Sequence, residues 1–235
     1  MIPIKTESAW RGIADCRNCG IRDMVLFADL NEHDFAQIHA PIDDLDLQSG
    51  TVLYDEGSSV QGIYTLRSGM VKLVRSRLDG RPRIVRVLRA GDVIGLEALG
   101  AARYDSEAVT LTGASVCRIP VDVVQKLAAS SPRLHAQLMR KWQSALKDAD
   151  DWLADLNFGT ARQRVANLVL KMRNPSNPEV TVLFSREDMG AMLDLKLETV
   201  SREVSRLVRT GAIEPLDKHG RLYRLLRSDI AHIER

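Results

Sequence analysis

The stretch from Ser185 to Gly211, SREDMGAMLDLKLETVSREVSRLVRTG, restricts the fold most, because two runs of helical apolar spacing stand only a few residues apart. Met189, Met192 and Leu193 fall on one face of a first helix, and Val200, Val204 and Leu207 on one face of a second, the spacing of helices that each bury one side. Glu198, Ser201 and Arg202 are i, i+3 and i+4 neighbours on the opposite face of the second helix. Their chemistry suits a base pair: Arg bonds guanine O6 and N7 together, Glu accepts from cytosine N4, and Ser adapts to several edges. Lys196, Thr199 and Arg206 complete the candidate DNA-binding set, and Arg202, Arg206 and Arg209 form a basic stripe directed at phosphates. The plainer reading is a surface ion pair between Glu198 and Arg202, which is common and contributes little.

The segment after the second helix favours the DNA reading. Ala212 to Leu216, then Asp217-Lys218-His219-Gly220, then Arg221 to Leu225 read as strand, turn and strand. A helix-turn-helix with such a hairpin behind it is the pattern of winged-helix DNA readers. Of the 33 Lys and Arg and 31 Asp and Glu, the stretch from Gly159 onward holds 14 and 10, so the excess positive charge lies with the proposed reader. The expected partner is double-stranded DNA.

The chain has 235 residues, 45% hydrophobic and 27% charged, which suits one large or two modest globular domains. It has no run of about 18 apolar residues, and MIPIKTESAWRG lacks an apolar signal core, so a cytoplasmic protein without a membrane partner is expected. Its three cysteines are then reduced by default. A Gly-rich phosphate loop, a Gly-x-Ser-x-Gly elbow and a His-Glu-x-x-His pair are all missing, so no enzymatic activity is expected. His33, His39, His135, His219 and His232 show no metal-ligand spacing.

A long helix is expected over Pro132 to Leu156. Leu138, Trp142, Ala145, Ala149, Trp152 and Leu156 are spaced by 4, 3, 4, 3 and 4, a heptad seam that predicts a homodimer. The small Ala145 and Ala149 allow close approach of two helices, while Leu134, Met139, Leu146 and Leu153 form a second apolar flank available to the helix's own domain.

From about Leu45 to Pro120 the texture changes to short β-rich runs. These are Thr51 to Tyr54, Gly62 to Leu66, Val71 to Val74, Ile84 to Leu88 and Ala114 to Ile119, with turn signals at Glu56-Gly57, Ser68-Gly69, Asp79-Gly80 and Ala90-Gly91-Asp92. Such spacing predicts a β-sandwich or roll.

IYTLRSGMVKLV, LRAGDVIGLEAL and SVCRIP, succeeded by the long helix and SREDMGAMLDLKLETVSR in that order, resemble the superfamily of the cyclic AMP receptor protein and the fumarate-nitrate reductase regulator, CRP/FNR. The resemblance implies an α+β chain in four parts: an N-terminal cysteine-bearing segment at 1–25, an antiparallel sensory β-roll at 26–131, a dimerisation helix at 132–158 and a winged helix-turn-helix at 159–235. It also implies contact with RNA polymerase near the Asp79-Gly80 turn, which is flanked by Arg75, Arg77, Arg81, Arg83, Arg86 and Arg89. The family's helix-turn-helix usually has Gly in the tight turn where this chain has Asp194, a residue that tolerates the left-handed conformation.

The resemblance offers two signals. In cyclic-nucleotide members a Gly-Glu pair and an Arg-Ser pair hold the phosphate; here those positions read Gly95-Leu96 and Asp105-Ser106, and the Asp105 carboxylate repels a phosphate. Arg103 is the nearby cation. The other signal lies in Asp15-Cys16-Arg17-Asn18-Cys19-Gly20-Ile21-Arg22-Asp23, which resembles the start of the oxygen-sensing branch, while Cys117 in SVCRIP matches that branch's distant cysteine. Cys16, Cys19 and Cys117 are therefore candidate ligands of an iron–sulfur cluster. The branch's third N-terminal cysteine falls at Val25, so a four-cysteine site is not available, and Asp23 is one candidate for the fourth ligand. A zinc site, a Cys16–Cys19 thiol switch and retained packing cysteines stand as alternatives. In the recognition helix, Leu197 and Ser201 replace the Arg and Gly of cyclic-AMP-type members, and this matches the branch whose half-site resembles TTGA.

Overall fold

The computed structural model describes residues 10–16, 19–36, 38, 41–77, 80–227 and 230. Arg17, Asn18, His39, Asp79 and His232 lie outside the described residues. The chain forms two compact units, one of residues up to 147 apart from Pro82–Ile84, the other of those three and Asp148–Arg235.

The first unit is built on two antiparallel sheets. One is ordered β1 (Trp10–Ile13), β2 (Asp43–Leu47), β9 (Ala114–Ile119), β4 (Ile63–Ser68), β7 (Val93–Ile94), and the other β3 (Val52–Tyr54), β8 (Glu107–Thr110), β5 (Val71–Ser76), β6 (Pro82–Leu88). All five β-runs expected from the sequence are strands; β1, β2, β7 and β8 are additional.

Register fixes which side chains share a face of the first sheet. Val116 on β9 stands opposite Leu45 and Leu66, all buried, whereas Cys117 stands opposite Asp44 and Thr65 on the other face. Strand β4 is buried on both faces from Ile63 to Leu66. Leu26, Phe27, Val123, Leu127 and Leu134 join Leu45, Leu66 and Val116 in one apolar cluster. The Ser68-Gly69 turn has a steric basis. Gly69 has φ 84°, and a Cβ there would collide with the Gly113 carbonyl oxygen, so only glycine lets these two backbones meet.

A short helix α1 (Glu32–Ala36) precedes β2, and its start is held by reciprocal bonds between Asn31 and Asp34 of 2.9 and 3.1 Å. Asp34 is buried, and the Arg133 Nε–H donates to its Oδ2 at 2.9 Å. That bond, opposed by burial and aided by the Asn31 amide, lowers the Asp34 carboxyl to about 2. A depressed carboxyl stabilises the fold above its unfolded pKa, near ~4, and loses that contribution as pH falls toward the folded value. The melting temperature should therefore separate the native chain from Asp34→Asn at pH 5, and the gap should close as pH approaches 2. A gap that stays constant across that range contradicts the assignment.

After α2 (Val121–Ser130), one helix α3 runs over Pro132–Leu156, the span expected from sequence. The second unit continues with α4 (Ala161–Lys171), started by a capping box between Thr160 and Gln163. Next come β10 (Arg173–Asn174), β11 (Asn177–Val182), α5 (Arg186–Leu193), α6 (Leu197–Arg209), β12 (Ile213–Pro215) and β13 (Leu222–Leu225). The wing is wider than the two strands expected, because β11 pairs with β13 in a four-stranded sheet ordered β10-β11-β13-β12.

Candidate nucleic-acid interface and thiol pocket

Helix α5 is capped at its start by Ser185, whose hydroxyl accepts the Asp188 amide at 3.0 Å, and at its end by Asp194 in the left-handed conformation (φ 53°, ψ 48°). Asp194 thus adopts the geometry for which glycine is usual. Arg186 donates to the Tyr223 hydroxyl at 3.0 Å, joining α5 to β13. Met189, Met192, Leu193, Val200, Val204 and Leu207 are all buried, so the two helices pack through the face their spacing predicts. Gly190 is part of that packing, since a Cβ there would lie 2.7 Å from the Leu195 carbonyl oxygen. Gly190→Ala should force the turn to shift and lower stability by about 1–3 kcal/mol, measured by chemical unfolding. An unchanged unfolding midpoint would show that the turn yields freely.

On the outer face of α6, Lys196, Glu198 and Arg202 are exposed, and Thr199, Ser201 and Arg206 are half-buried. Arg202 donates through Nε to Glu203 Oε1 at 3.3 Å, so its described ion pair is with its neighbour and not with Glu198. Glu203 is buried, and its Oε2 has no hydrogen-bond partner. Nothing in the sequence marks Glu203, because it sits among the apolar positions Val200, Val204 and Leu207.

The heptad seam of α3 divides. Leu138, Trp152 and Leu156 are buried within the chain and Ala145 packs against the core. The apolar side chains facing outward are Met139, Trp142, Leu146 and Leu153, at 50, 41, 64 and 54% exposure, with Ala149 half-buried among them. The stripe at 139, 142, 146, 149 and 153 keeps the 3, 4, 3, 4 spacing, so the outward row combines Trp142 and Ala149 of the expected seam with Met139, Leu146 and Leu153 of the expected inner flank, whereas Leu134 of that flank is buried.

Cys16 and Cys19, and the sequence-distant Cys117, line one cavity of about 270 Å³ together with Val25, Phe27, Asp44, Thr65 and Arg67. Cys117 enters it from the sheet, beside its cross-strand neighbours Asp44 and Thr65. Burial pushes the Cys117 thiol up to about 12, against the pull of Arg67. Arg67 donates to Asp44 Oδ2 at 2.5 Å. Val25, where the third N-terminal cysteine would stand, lines the cavity, whereas Asp23 is exposed in a 3-10 turn and does not. Among the described residues, no three His, Cys, Asp or Glu side chains are grouped to hold a single metal ion.

The positions aligned with a phosphate site carry a different chemistry. Gly95 has φ 80°, and its Cβ position lies 3.1 Å from Tyr104, which stacks on Tyr54 at 3.6 Å. Burial, with a further contribution from Asp105, raises the nearby Glu97 carboxyl. Arg103 donates to the Gly57 carbonyl at 2.7 Å. Aromatic rings and carboxylates are a poor receptor for a phosphate.

Residues 45–131 match the cyclic nucleotide-binding domain family and residues 163–229 the Crp-like helix-turn-helix domain family. The fumarate and nitrate reduction regulatory protein of Escherichia coli K12 is 28% identical over 211 residues, covering 87% of this chain and 84% of that protein. The corresponding protein of Klebsiella oxytoca matches to the same extent. Among solved structures, FixK2 from Bradyrhizobium japonicum superposes with a TM-score of 0.72 at 26% identity, covering 81% of this chain and 96% of that one. No described helix is long and apolar enough to cross a membrane.

Proposed function

The chain belongs to the CRP/FNR superfamily of transcription regulators and carries its DNA-binding helix-turn-helix, and on that footing we propose a homodimer that reads a palindrome and responds to oxygen or redox state. The observation that carries this reading is the outward face of α6, where Glu198, Ser201 and Arg202 stand clear of the packed side. Leu197 and Ser201 support a TTGAT-N4-ATCAA target, its half-sites one helical turn apart. Lys196, Thr199 and Arg206 supply backbone contacts that set register without reading sequence.

Two copies join through Met139, Trp142, Leu146, Ala149 and Leu153, the apolar row the chain leaves outside. The signal enters through an iron–sulfur cluster on Cys16, Cys19 and Cys117, and the shared cavity supports that assignment. A bound cluster would supply the oxygen-labile chemistry; the three cysteines would hold it, with the apolar Phe27 and Val25 beside it in the lining. The protein acts in the cytoplasm, and the arginines around the β5–β6 turn face RNA polymerase.

The test is anisotropy titration of TTGAT and TGTGA palindromes at one fixed salt concentration, since salt alone shifts such affinities. The TTGAT duplex should bind at least about tenfold more tightly, because one mismatched pair costs ~1–3 kcal/mol. Equal binding refutes the assignment.

A further inference from the structure

Besides the three cysteines, the cavity is lined by oxygen-bearing side chains of Asp15, Asp44 and Thr65. We propose that Asp44 is the fourth protein ligand of the cluster, an inference that rests on reading the thiol cavity as an iron–sulfur site. Asp44 and Cys117 are direct cross-strand partners on β2 and β9, so the two side chains leave the same face of the sheet as neighbours. Its carboxylate is asymmetric. Oδ2 takes the Arg67 guanidinium at 2.5 Å, while Oδ1 is buried with no hydrogen-bond partner among the described residues.

A buried carboxylate oxygen next to Cys117, in a cavity that Cys16 and Cys19 also line, suits a ligand position by its chemistry, because leaving it unbonded forfeits its hydration for nothing. Arg67 plays the outer-shell part, fixing the orientation of a ligating carboxylate through its second oxygen. The other acids fit less well. Asp23 is exposed and does not line the cavity; Asp15 lines it but is exposed. Val25 has no donor atom. A carboxylate and three thiolates make a mixed hard and soft set, so the site holds iron less firmly than four thiolates do.

Anaerobic reconstitution of the full chain with ferrous iron and sulfide tests this. The variants are Asp44→Asn, Asp44→Cys, Asp15→Asn, Asp23→Asn and Cys19→Ser, and the readouts are iron and sulfide per protomer, electron paramagnetic resonance, and decay of cluster absorbance in air. Asp44→Asn keeps the side-chain shape and an acceptor for Arg67 but weakens the ligand. It should fall from about four irons to about three, with the resonance of a three-iron cluster. Asp44→Cys should keep about four irons and decay roughly tenfold more slowly in air. Asp15→Asn and Asp23→Asn should match the unmodified protein.

If both Asp44 variants match it while Cys19→Ser loses iron, the ligand assignment is overturned and the cluster stands. A change confined to Asp15→Asn or Asp23→Asn overturns it in the same way. If the unmodified chain takes up no iron, the cluster reading falls and the ligand with it. Should Asp44→Asn fail to fold, Asp44→Cys still decides, because slower decay in air does not arise from a damaged fold.

Discussion

Leu146→Asp should convert the protein from dimer to monomer at micromolar concentration and weaken its hold on a palindrome by about a hundredfold or more, the advantage of two linked half-site contacts over one. Leu146 is 64% exposed and sits at the centre of the Met139 to Leu153 row. Across a two-fold axis the same residue meets itself or a near neighbour, so the change sets two carboxylates together in an apolar contact. Because Leu146 packs little within its own chain, the folded monomer should keep nearly its full melting temperature. Leu138→Asp makes the contrast. Leu138 is buried in the core cluster, so an unpaired charge there should unfold the domain and not merely separate the protomers. Light scattering and thermal melts of the two variants distinguish these outcomes. A Leu146→Asp protein that remains dimeric would move the interface elsewhere.

Arg202→Ala should cost about 1–3 kcal/mol on the TTGAT palindrome and relax the preference at its G·C pair. The loss should be much smaller on a duplex already mutated at that pair, because the guanidinium then has no guanine O6 and N7 to bond. Arg206→Ala should instead weaken all duplexes alike and reduce the salt slope by about 1, as expected for a phosphate contact. Arg202 donates to the buried Glu203 in the free protein, a bond that a guanine contact by its guanidinium would replace or extend. If Arg202→Ala weakened specific and mutated duplexes equally, the residue would be a phosphate contact.

The packing of the helix-turn-helix was legible because both its helices bury an apolar stripe, Glu203 being the exception, and the left-handed turn at Asp194 accords with what Asp tolerates. The extent of α3 was equally plain. Which of its sides faces inward was not: Leu138, Ala145, Trp152 and Leu156 form one apolar row and Met139, Leu146 and Leu153 another. Spacing alone does not say which row has its own chain as partner. Strand β2, DDLDL, escaped because Asp43, Asp44 and Asp46 give it the composition of a loop. Two of its acids are accommodated by arginines of the same sheet, Arg118 of the adjacent β9 on Asp43 and Arg67 of β4, one strand further, on Asp44. The same strand hid Asp44, since its place beside Cys117 is a property of register between segments about seventy residues apart. The cysteines themselves were visible, and the cavity that gathers them was not.

Sensing and DNA binding meet in one titration performed twice on the same sample, iron-loaded and anaerobic, then after exposure to air. The TTGAT palindrome should bind roughly tenfold more tightly before air than after, a coupling of ordinary allosteric size, and Cys117→Ser should abolish the difference. Identical affinity before and after air, in a protein that had taken up iron, would contradict the claim that this cavity governs DNA binding.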